Sequence, residues 1–404
     1  SKDTRLSGYL YEPLVTAGFI SLGMDVILVG PLPTPAVPLM IKSLRADLGV
    51  MITASHNTYE YNGLKFFDCD GFKLNPSIEK KVEKIVLDEK KYSKISNKSY
   101  ISGKAKRMED ASGRYSEYLK SSLDKSLTKR KFKIVLDCAN GATYNIAPNL
   151  FWELGHKVIT INNFPDGINI NKNCGAVDTS KLSKKVIQNK ADIGFAFDGD
   201  GDRIIVINEK GQQVDGDKII ALFCKNFIKP KNKSNQFDAI ITVMSNMGLE
   251  KYLTNKLKLK IKRTSVGDIN VINQMKKSKS LIGGEQSGHI IMSKFSNSGD
   301  GILAALKIIE IMNISKIKSS KIFNLYKEYS QEKINLVYKS KNKKLTKIID
   351  DLNNNKTLNN SKIRSLIRLS GTEPIVRILV EGENKKLVKE NSIKIKNIVR
   401  PYLV

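Results

Sequence analysis

The sequence predicts an α/β fold made of several similar units in tandem, and three observations support this prediction. Short apolar strands recur along the chain, and each runs into a loop of small and polar residues that a helical segment often follows. The strands are apolar throughout, which is typical of a sheet covered on both faces. The 404 residues are also too many for one core, so two to four domains are expected.

Six strand-to-loop segments show this pattern, and ligands in such sheets bind beyond the carboxyl ends of the strands. In chain order they are "DVILVGPLPTP", "GVMITASHN", "KIVLDCANGATY", "DIGFAFDGDGDR", "AIITVMSNMG" and "LIGGEQSGH". Helical periodicity separates strands, for example at Leu10, Leu14, Ala17 and Leu22. We therefore expect functional residues in the loops at these strand ends.

The last part of the chain has a different character. Lys- and Asn-rich sequence from about residue 339 to 362 separates it from the rest. Two strand-like runs, 363–368 and 375–380, bracket "LSGTEP", and a helical pattern follows from Lys385. This arrangement predicts a small α+β domain that contributes one loop.

The formal net charge is +28, from 68 Lys and Arg against 40 Asp and Glu. Such a charge is compatible with nucleic-acid binding. However, the lysines are scattered, only 7% of residues are aromatic, and aromatic and basic residues do not alternate. We therefore predict no nucleic-acid partner, although the charge favours anionic, phosphorylated ligands in general.

Membrane and secretion signals are missing from this sequence. It has no run of about 18 apolar residues, so no membrane span or membrane partner is expected. The first residues, "SKDTRLSG", lack the pattern of a signal peptide. The four cysteines form no C-x-x-C pair, which argues against a zinc site. We expect reduced thiols and a cytoplasmic protein.

The segment "TASHN" places Ser55 directly before His56. Side chains adjacent in sequence diverge, so His56 is poorly placed to accept a proton from Ser55. The other two histidines lie in unlike contexts, and no G-x-S-x-G motif surrounds Ser55. Taken alone, this stretch is interpreted most simply as a turn or a helix cap.

The strongest motif is "FDGDGDR", in which Asp198, Asp200 and Asp202 alternate with glycines. Magnesium needs its oxygen ligands within about 2.1 Å, so the backbone must curl, and the glycines allow this. An EF-hand is excluded because Arg203 occupies the position that requires glycine. Three carboxylates this close repel one another without a cation, so we predict a magnesium site.

The segment "RLSGTEPIVR" predicts a phosphate site. Ser370, Gly371 and Thr372 offer backbone amides and hydroxyls, and Arg368 and Arg377 flank them as fork-shaped donors. A surface hairpin with two arginines is the alternative interpretation.

The segment "GGEQSGH" predicts a sugar-binding loop. Glu285, Ser287 and His289 are spaced by two, and they supply acceptors and donors suited to sugar hydroxyls or an amine. A glycine-rich turn without a ligand is the alternative for this motif alone.

Together the motifs suggest that Ser55 carries a phosphate. A phosphoserine brings about −1.5 to −2 of charge, which the acidic loop could neutralise through its metal ion. In their order and separation, "TASHN", "DGDGDR", "GGEQSGH" and "RLSGTEP" resemble the motifs of the α-D-phosphohexomutases, and the resemblance covers nearly the whole chain.

The resemblance implies three tandem α/β domains of similar topology at 1–114, 115–214 and 215–328, and a small α+β C-terminal domain at 329–404, around a central cleft. It implies one Mg²⁺ per active site. The resemblance assigns the phosphoserine to Ser55 and its magnesium ligands to Asp198, Asp200 and Asp202. It places Lys65 and Arg203 near the transferring phosphoryl group. It assigns the sugar to Glu285, Ser287 and His289, and the non-reacting phosphate to Arg368, Ser370, Gly371, Thr372 and Arg377. For proton transfer we expect Lys65, with a pKa that Arg203 lowers, and His56 as the alternative.

Segments such as "PDGININKNCGA" and "VDGDKI" are most similar to the family members that act on glucosamine phosphates. This implies interconversion of glucosamine-6-phosphate and glucosamine-1-phosphate through glucosamine-1,6-bisphosphate, which also acts as activator. Action on mannose or glucose phosphates, and phosphosugar binding without turnover, are the alternatives. A homodimer is left open.

Two departures from the family pattern bear on these expectations. Leu369 replaces a proline that is common in the phosphate loop. Family members also have an earlier strand and helix with a Gly-Ile-Arg-Gly type loop, so the first domain is expected to be truncated and this chain to be slower than longer relatives.

Overall fold

The computed structural model of the chain confirms an α/β fold of three α/β units and a smaller C-terminal α+β unit. It describes residues 1–96, 101–124, 130–228, 237–339, 343–355, 357–360, 362–370 and 373–403. Within these residues, no helix is both long enough and apolar enough to cross a membrane. The four cysteines are free thiols, as expected.

Unit one contains two separate pairs of strands. β1 (Val26–Leu28) pairs in parallel with β4 (Ala105–Arg107), and β2 (Leu48–Ile52) pairs antiparallel with β3 (Leu64–Asp68). Its helices are α1 (Gly8–Ser21), α2 (Ala36–Leu44), α3 (Pro76–Val86), α4 (Glu89–Ser96) and α5 (Ala111–Ser121). The boundary predicted after residue 114 falls inside α5, and its position stays a prediction.

The first residues of the chain lie between the two strand pairs. Lys2 pairs in parallel with both Pro31 and Ile52. The Ser1 ammonium donates to a backbone carbonyl of β2 at 2.8 Å. Beyond Ser1, a cavity of about 310 Å³ opens between β1 and β2. Among the described residues of unit one, Lys2 thus links the end of one strand pair to the end of the other.

The helical repeat near the start of the chain forms α1, but its apolar stripe faces solvent. Leu10 and Leu14 are each 59% exposed. The residues of α1 that line the cavity beside β1 lie on another face and are Glu12, Val15, Thr16 and Phe19. Periodicity predicted the helix, whereas packing decided which face is covered.

Unit two has a five-stranded sheet in the order β6-β5-β7-β8-β9. The strands β5, β6 and β7 run parallel, and β8 and β9 are antiparallel additions. Their bounds and those of the helices are β5 (Lys133–Asp137), α6 (Ile146–Glu153), β6 (Lys157–Ile161), a 3₁₀ turn (Gly175–Val177), α7 (Ser180–Gln188), β7 (Ile193–Phe197), β8 (Ile204–Asn208) and β9 (Gln213–Val214). Every residue of β7 and β8 is buried, which confirms a sheet covered on both faces.

Unit three has a four-stranded sheet in the order β11-β10-β12-β13, parallel except for β13. Its elements are α8 (Gly216–Phe227), β10 (Ala239–Thr242), α9 (Met247–Lys251) with a π-helical turn (Tyr252–Lys256), β11 (Ile261–Thr264), α10 (Asp268–Ser278), β12 (Ile282–Gly284), β13 (Ile290–Met292), α11 (Gly301–Ser315) and α12 (Ser319–Ile322). One continuous apolar core extends through units one to three, from Leu32 to Phe323.

Unit four has an antiparallel sheet in the order β14-β16-β15, with helices of its own. Its elements are β14 (Ser330–Val337), α13 (Lys343–Asn353), β15 (Ile363–Leu369), β16 (Ile375–Gly382), α14 (Lys385–Val399) and a 3₁₀ turn (Arg400–Tyr402), which confirms the predicted strand–loop–strand–helix order. It has a separate core. A polar contact joins it to unit three: Arg364, which donates to Glu381 of its own sheet at 2.6 Å, also donates to the Val243 carbonyl at 2.7 Å.

Candidate active site

Ser55 lies in the loop that follows β2, at the junction of units one and two. Its backbone φ is 51°, a left-handed conformation that is uncommon for a residue with a Cβ. Its Oγ donates to Oδ2 of Asp198 at 2.8 Å, although the two residues are 143 positions apart. Its N–H donates to Oγ1 of Thr53 at 2.9 Å. The fold therefore brings the predicted serine to the predicted acidic loop.

Two side chains that no motif identified hold the serine loop in this shape. Arg5 is fully buried, pairs with Asp3 at 2.9 Å, and donates to the carbonyls of Ser55 and Asn57 at 3.0 and 2.9 Å. Asn171 from unit two donates to the same two carbonyls, both at 2.8 Å. Buried carbonyl groups need such partners. These residues position Ser55 through its backbone.

The acidic loop between β7 and β8 forms a cluster of buried carboxylates. Asp198, Asp200 and Asp202 each offer one oxygen, and these oxygens all lie within 4.8 Å of one another. Gly201 has a φ of +70°, and the curl it allows is the one the sequence predicted. Oδ1 of Asp200 and Oδ1 of Asp202 are buried without a hydrogen-bond partner among the described residues. Orphaned buried oxygens in this arrangement fit a divalent cation.

The pKa values of two of the three carboxylates are shifted in opposite directions. Burial, together with the charges of Asp202 and Asp200, raises the pKa of Asp198 well above its usual value. The pKa of Asp202 is well below its usual value, because the charges of Lys65 and His289 outweigh the opposing effect of burial. Carboxylates at such short range cannot all ionise without compensation, and a divalent cation is the strongest compensation available.

Lys65 lies at the acidic loop as expected, but the predicted lowering of its pKa is wrong. Its Nζ is 2.5 Å from Oδ2 of Asp200 and 3.2 Å from Oδ2 of Asp202. Burial alone would lower the pKa of Lys65, but the charges of Asp200 and Asp202 outweigh burial and raise it. The prediction weighed Arg203 and overlooked two nearer carboxylates. In this arrangement the Lys65 ammonium donates hydrogen bonds to Asp200 and Asp202 and pairs with their charges.

His56 and Arg203 both line the cleft in front of the acidic loop. Nε of Arg203 lies 3.9 Å from a carboxylate oxygen of Asp198 and of Asp202, and it has no hydrogen-bond partner among the described residues. Partial burial, followed by the charge of Arg203, lowers the pKa of His56. The lowered pKa favours the neutral imidazole of His56, whereas the raised pKa of Lys65 favours its ammonium form.

The sugar-binding loop of unit three packs against the acidic loop of unit two. The N–H of Ile204 donates to the Gly288 carbonyl at 3.0 Å. Gly288 has a φ of +94°, and a Cβ there would lie 2.1 Å from the Ile204 carbonyl oxygen, so only glycine fits. Glu285 and Ser287 line the cleft, as predicted.

His289 differs from its two loop neighbours in its burial and contacts. It is 2% exposed and is not among the described residues that line the cleft. Its Nε2 accepts from the Gly299 N–H at 3.1 Å, and its Nδ1 lies 3.5 Å from Oδ1 of Asp202. The tight turn at Gly288 thus brings His289 to the acidic loop, and its role toward the sugar stays a prediction.

The opposite end of the cleft carries the predicted arginines. Arg368 and Arg377 are direct cross-strand partners in β15 and β16. Like charges directly opposite each other destabilise a sheet. Partial burial, and after it the charge of Arg377, lowers the pKa of Arg368. Arg377 pairs with Glu373 at 2.6 Å, but its Nε has no partner among the described residues. An anion between the two guanidinium groups would relieve the repulsion.

The loop between these arginines is described only in part. The Ser370 N–H donates to the Ile375 carbonyl at 2.8 Å and closes the hairpin. Gly371 and Thr372 lie outside the described residues, so their roles stay predictions. Lys333 of β14 also lines the cleft beside the arginines. No sequence signal distinguished it from the many scattered lysines.

A cavity of about 620 Å³ connects these groups, and all four units contribute to its wall, as a central cleft requires. The wall includes His56, Ala176, Val177, Arg203, Ile205, Gln213, Asp215, Thr242, Met244, Val266, Glu285, Gln286, Ser287, Lys333, Arg368 and Arg377. The cleft wall thus combines several cations with polar and acidic groups: Arg203, Lys333, Arg368 and Arg377 on the one hand, and Asp215, Glu285, Gln286 and Ser287 on the other.

Fold and site together define a mutase of phosphorylated hexoses, and comparison with known families agrees. The chain matches the four domains of the Phosphoglucomutase/phosphomannomutase family in order. Alpha/beta/alpha domain I matches residues 1–93, domain II matches 113–211, domain III matches 215–329, and the C-terminal domain matches 334–392. The chain belongs to this family, the phosphohexomutases, and the resemblance inferred from its motifs is confirmed.

Two individual proteins similar to this chain are both named phosphoglucosamine mutase. The phosphoglucosamine mutase of Zymomonas mobilis is 45% identical over 393 residues, which cover 96% of this chain and 86% of that protein. The phosphoglucosamine mutase of a Methylobacterium species is 43% identical over 390 residues, with the same coverage.

Solved structures support the fold. A phosphoglucomutase/phosphomannomutase family protein from Burkholderia thailandensis has a TM-score of 0.84 at 22% identity, covering 100% of this chain and 89% of that one. The Aspergillus fumigatus N-acetylphosphoglucosamine mutase in complex with GlcNAc-6P and magnesium has a TM-score of 0.69 at 19% identity, covering 92% and 93%.

Proposed function

We propose that this chain is a phosphoglucosamine mutase, which interconverts glucosamine-6-phosphate and glucosamine-1-phosphate and so serves amino-sugar synthesis. One observation carries the proposal: a serine hydroxyl lies 2.8 Å from a buried carboxylate cluster, its neighbour His56 lines a cleft, and two opposed arginines line the same cleft. The serine supplies a phosphoryl carrier, and the arginines supply a clamp for a second phosphate. The name shared by the relatives at 43–45% identity supports the substrate.

Ser55 is the proposed carrier. In the first half-reaction its phosphoryl group passes to O1 of glucosamine-6-phosphate, so the P–Oγ bond breaks, a P–O1 bond forms, and the O1 proton goes to a base. His56 is the proposed base, because it lines the cleft and its pKa is lowered. Lys65 and Arg203, which lie at the acidic loop, are proposed to stabilise the negative charge of the transferring phosphoryl group.

The second half-reaction reverses the transfer at the other end of the sugar. Glucosamine-1,6-bisphosphate turns over in the cleft, its 6-phosphoryl group returns to Oγ of Ser55, and glucosamine-1-phosphate leaves. Arg368, Arg377 and Ser370, with Lys333 beside them, hold whichever phosphate is not reacting. A trace of the bisphosphate would restart dephosphorylated protein.

Asp198, Asp200 and Asp202, with the oxygen of Ser55, are the proposed magnesium ligands. A bound Mg²⁺ would neutralise phosphoryl oxygens and polarise the phosphorus. Glu285 and Ser287 would orient the sugar hydroxyls from the middle of the cleft. A cytoplasmic location and a homodimer remain parts of the proposal.

The reaction is tested by following a labelled phosphate. Label on the substrate should pass to the protein and back to product, while release to water stays slow. Rates on glucosamine-6-phosphate, glucose-6-phosphate and mannose-6-phosphate, compared under one condition, should favour the amino sugar. Label reaching water as fast as isomer forms would identify a phosphatase. Faster turnover of mannose-6-phosphate would favour a phosphomannomutase instead.

Arg377→Ala should raise KM for the phosphosugar about 10- to 150-fold and change kcat less. A lost charge-assisted contact costs about 1.5–3 kcal/mol, which corresponds to that range. Steady-state kinetics measure it, and Arg400→Ala is the control because Arg400 is exposed at the end of α14, away from the cleft. An unchanged KM for all three hexose phosphates would contradict the clamp.

A further inference from the structure

Asp215 lines the cleft at the junction of units two and three. It follows β9 and caps the amino terminus of α8, where its Oδ1 accepts from the Lys218 N–H at 3.2 Å. Its Oδ2 accepts from Nε2 of Gln286 at 3.1 Å. Asp215 and Gln286 both line the cleft, next to Glu285. The segment "VDGDKI" contains Asp215, but no role was predicted for this residue, and the helix cap accounts for only one of its oxygens.

The contact with Asp215 fixes which way the Gln286 amide faces. A carboxylate only accepts hydrogen bonds, so Gln286 must present Nε2 to it and keep Oε1 as a free acceptor. The backbone reinforces this arrangement, because the Gly216 N–H donates to the Gln286 carbonyl at 3.0 Å. A Cβ on Gly216 would lie 2.1 Å from the Glu285 carbonyl oxygen, so the two loops pack backbone to backbone. The two side chains form one preorganised acceptor group.

Lys218, three residues on in α8, makes its short contacts with other groups, because its Nζ lies 2.8 Å from the Tyr326 carbonyl oxygen and 3.3 Å from Glu328. The cleft wall includes two carboxylates, those of Asp215 and Glu285, as well as arginines. Glu285 already accepts from the Gly267 N–H at 2.9 Å.

We propose that Asp215, acting with Oε1 of Gln286, is the specificity determinant for a positively charged amino group at C2 of the sugar. The proposal rests on the proposed function, because it assigns the residues that distinguish an amino sugar from its hydroxyl analogue. An ammonium group has donors and no acceptor, so it matches an all-acceptor wall. Hydrogen bonds to charged groups are about twice as strong as neutral ones, which favours the amine over a hydroxyl at this position.

Asp215→Asn tests the charge and keeps the helix cap, because Asn caps as well as Asp. The readout is kcat/KM for glucosamine-6-phosphate divided by kcat/KM for glucose-6-phosphate. We expect this ratio to fall about tenfold, mainly through a higher KM for the amino sugar. Asp110→Asn, which removes the same charge at the N-cap of α5 outside the cleft, should leave the ratio unchanged.

Gln286→Met is the second variant, because it removes Oε1 and leaves the Asp215 cap intact. It should lower the same ratio. Equal losses on both substrates in both variants would show a structural role and overturn the proposal, as would an unchanged ratio. If the wild-type chain itself fails to turn over glucosamine-6-phosphate while using another hexose phosphate, the proposed function fails instead, so the two failures are distinguishable.

Discussion

Replacing Ser55 with alanine should remove the phosphoryl carrier and reduce mutase turnover by at least about 10³-fold, the scale on which removal of a covalent nucleophile acts. Intact mass spectrometry of the wild-type chain, after incubation with the sugar bisphosphate, should show one added phosphate. That adduct should be missing in Ser55→Ala. The loss follows because the Ser55 Oγ is the hydroxyl held 2.8 Å from Asp198 at the acidic end of the cleft.

The same variant separates chemistry from folding. The serine loop is held through backbone carbonyls by Arg5 and Asn171, and an alanine at position 55 keeps those bonds. Its melting temperature should therefore stay near that of the wild type. Ser121→Ala, at the exposed end of α5, is the matched control and should retain both adduct and activity. A phosphate that persists at full occupancy in Ser55→Ala would place the carrier elsewhere.

Asp200→Asn should weaken magnesium binding and reduce turnover by about 10²- to 10³-fold, because a preorganised charge at the reacting group contributes on that scale. Calorimetric titration with Mg²⁺ measures the affinity directly, without relying on activity. Magnesium at 100 times its dissociation constant should stabilise the wild-type fold by about 2.7 kcal/mol. The variant, lacking one of the clustered carboxylates, should gain much less.

Two controls make the magnesium prediction specific. Asp110→Asn removes an exposed carboxylate far from the cleft and should behave as wild type in the titration. Excess chelator should stop the wild-type enzyme, and added Mg²⁺ should restore it. Full activity in chelator, or an unchanged Mg²⁺ affinity in Asp200→Asn, would contradict the assignment of the acidic loop.

Local geometry was the part of the site that could be predicted from motifs. Glycines beside Asp198, Asp200 and Asp202 specify a curl, and the structure has a left-handed glycine in that loop. The arginines 368 and 377 bracket a short hairpin, so strand register alone makes them neighbours. Apolar runs likewise predicted the buried strands β7 and β8. Each of these features depends on residues fewer than ten positions apart.

Properties that depend on distant residues were predicted less well. The pKa of Lys65 is raised and not lowered, since carboxylates 135 and 137 positions away lie closer to it than the expected guanidinium. His289 contacts the acidic loop, which its spacing did not predict, since a turn that only glycine allows reverses the chain before it. The apolar stripe of α1 faces solvent, since periodicity does not specify which face is covered.

The sequence by itself determined the fold class, the family and the four motifs, because strand and turn preferences and short-range spacing are encoded locally. Tertiary structure alone decided how Arg5 and Asn171 hold the serine loop, in which direction the pKa values of His56 and Lys65 are shifted, and how Asp215 orients Gln286. Charge and hydrogen-bond energies depend on distance and burial, and the packing of four units sets both. Residues far apart in the chain therefore acquire their chemistry only in the folded protein.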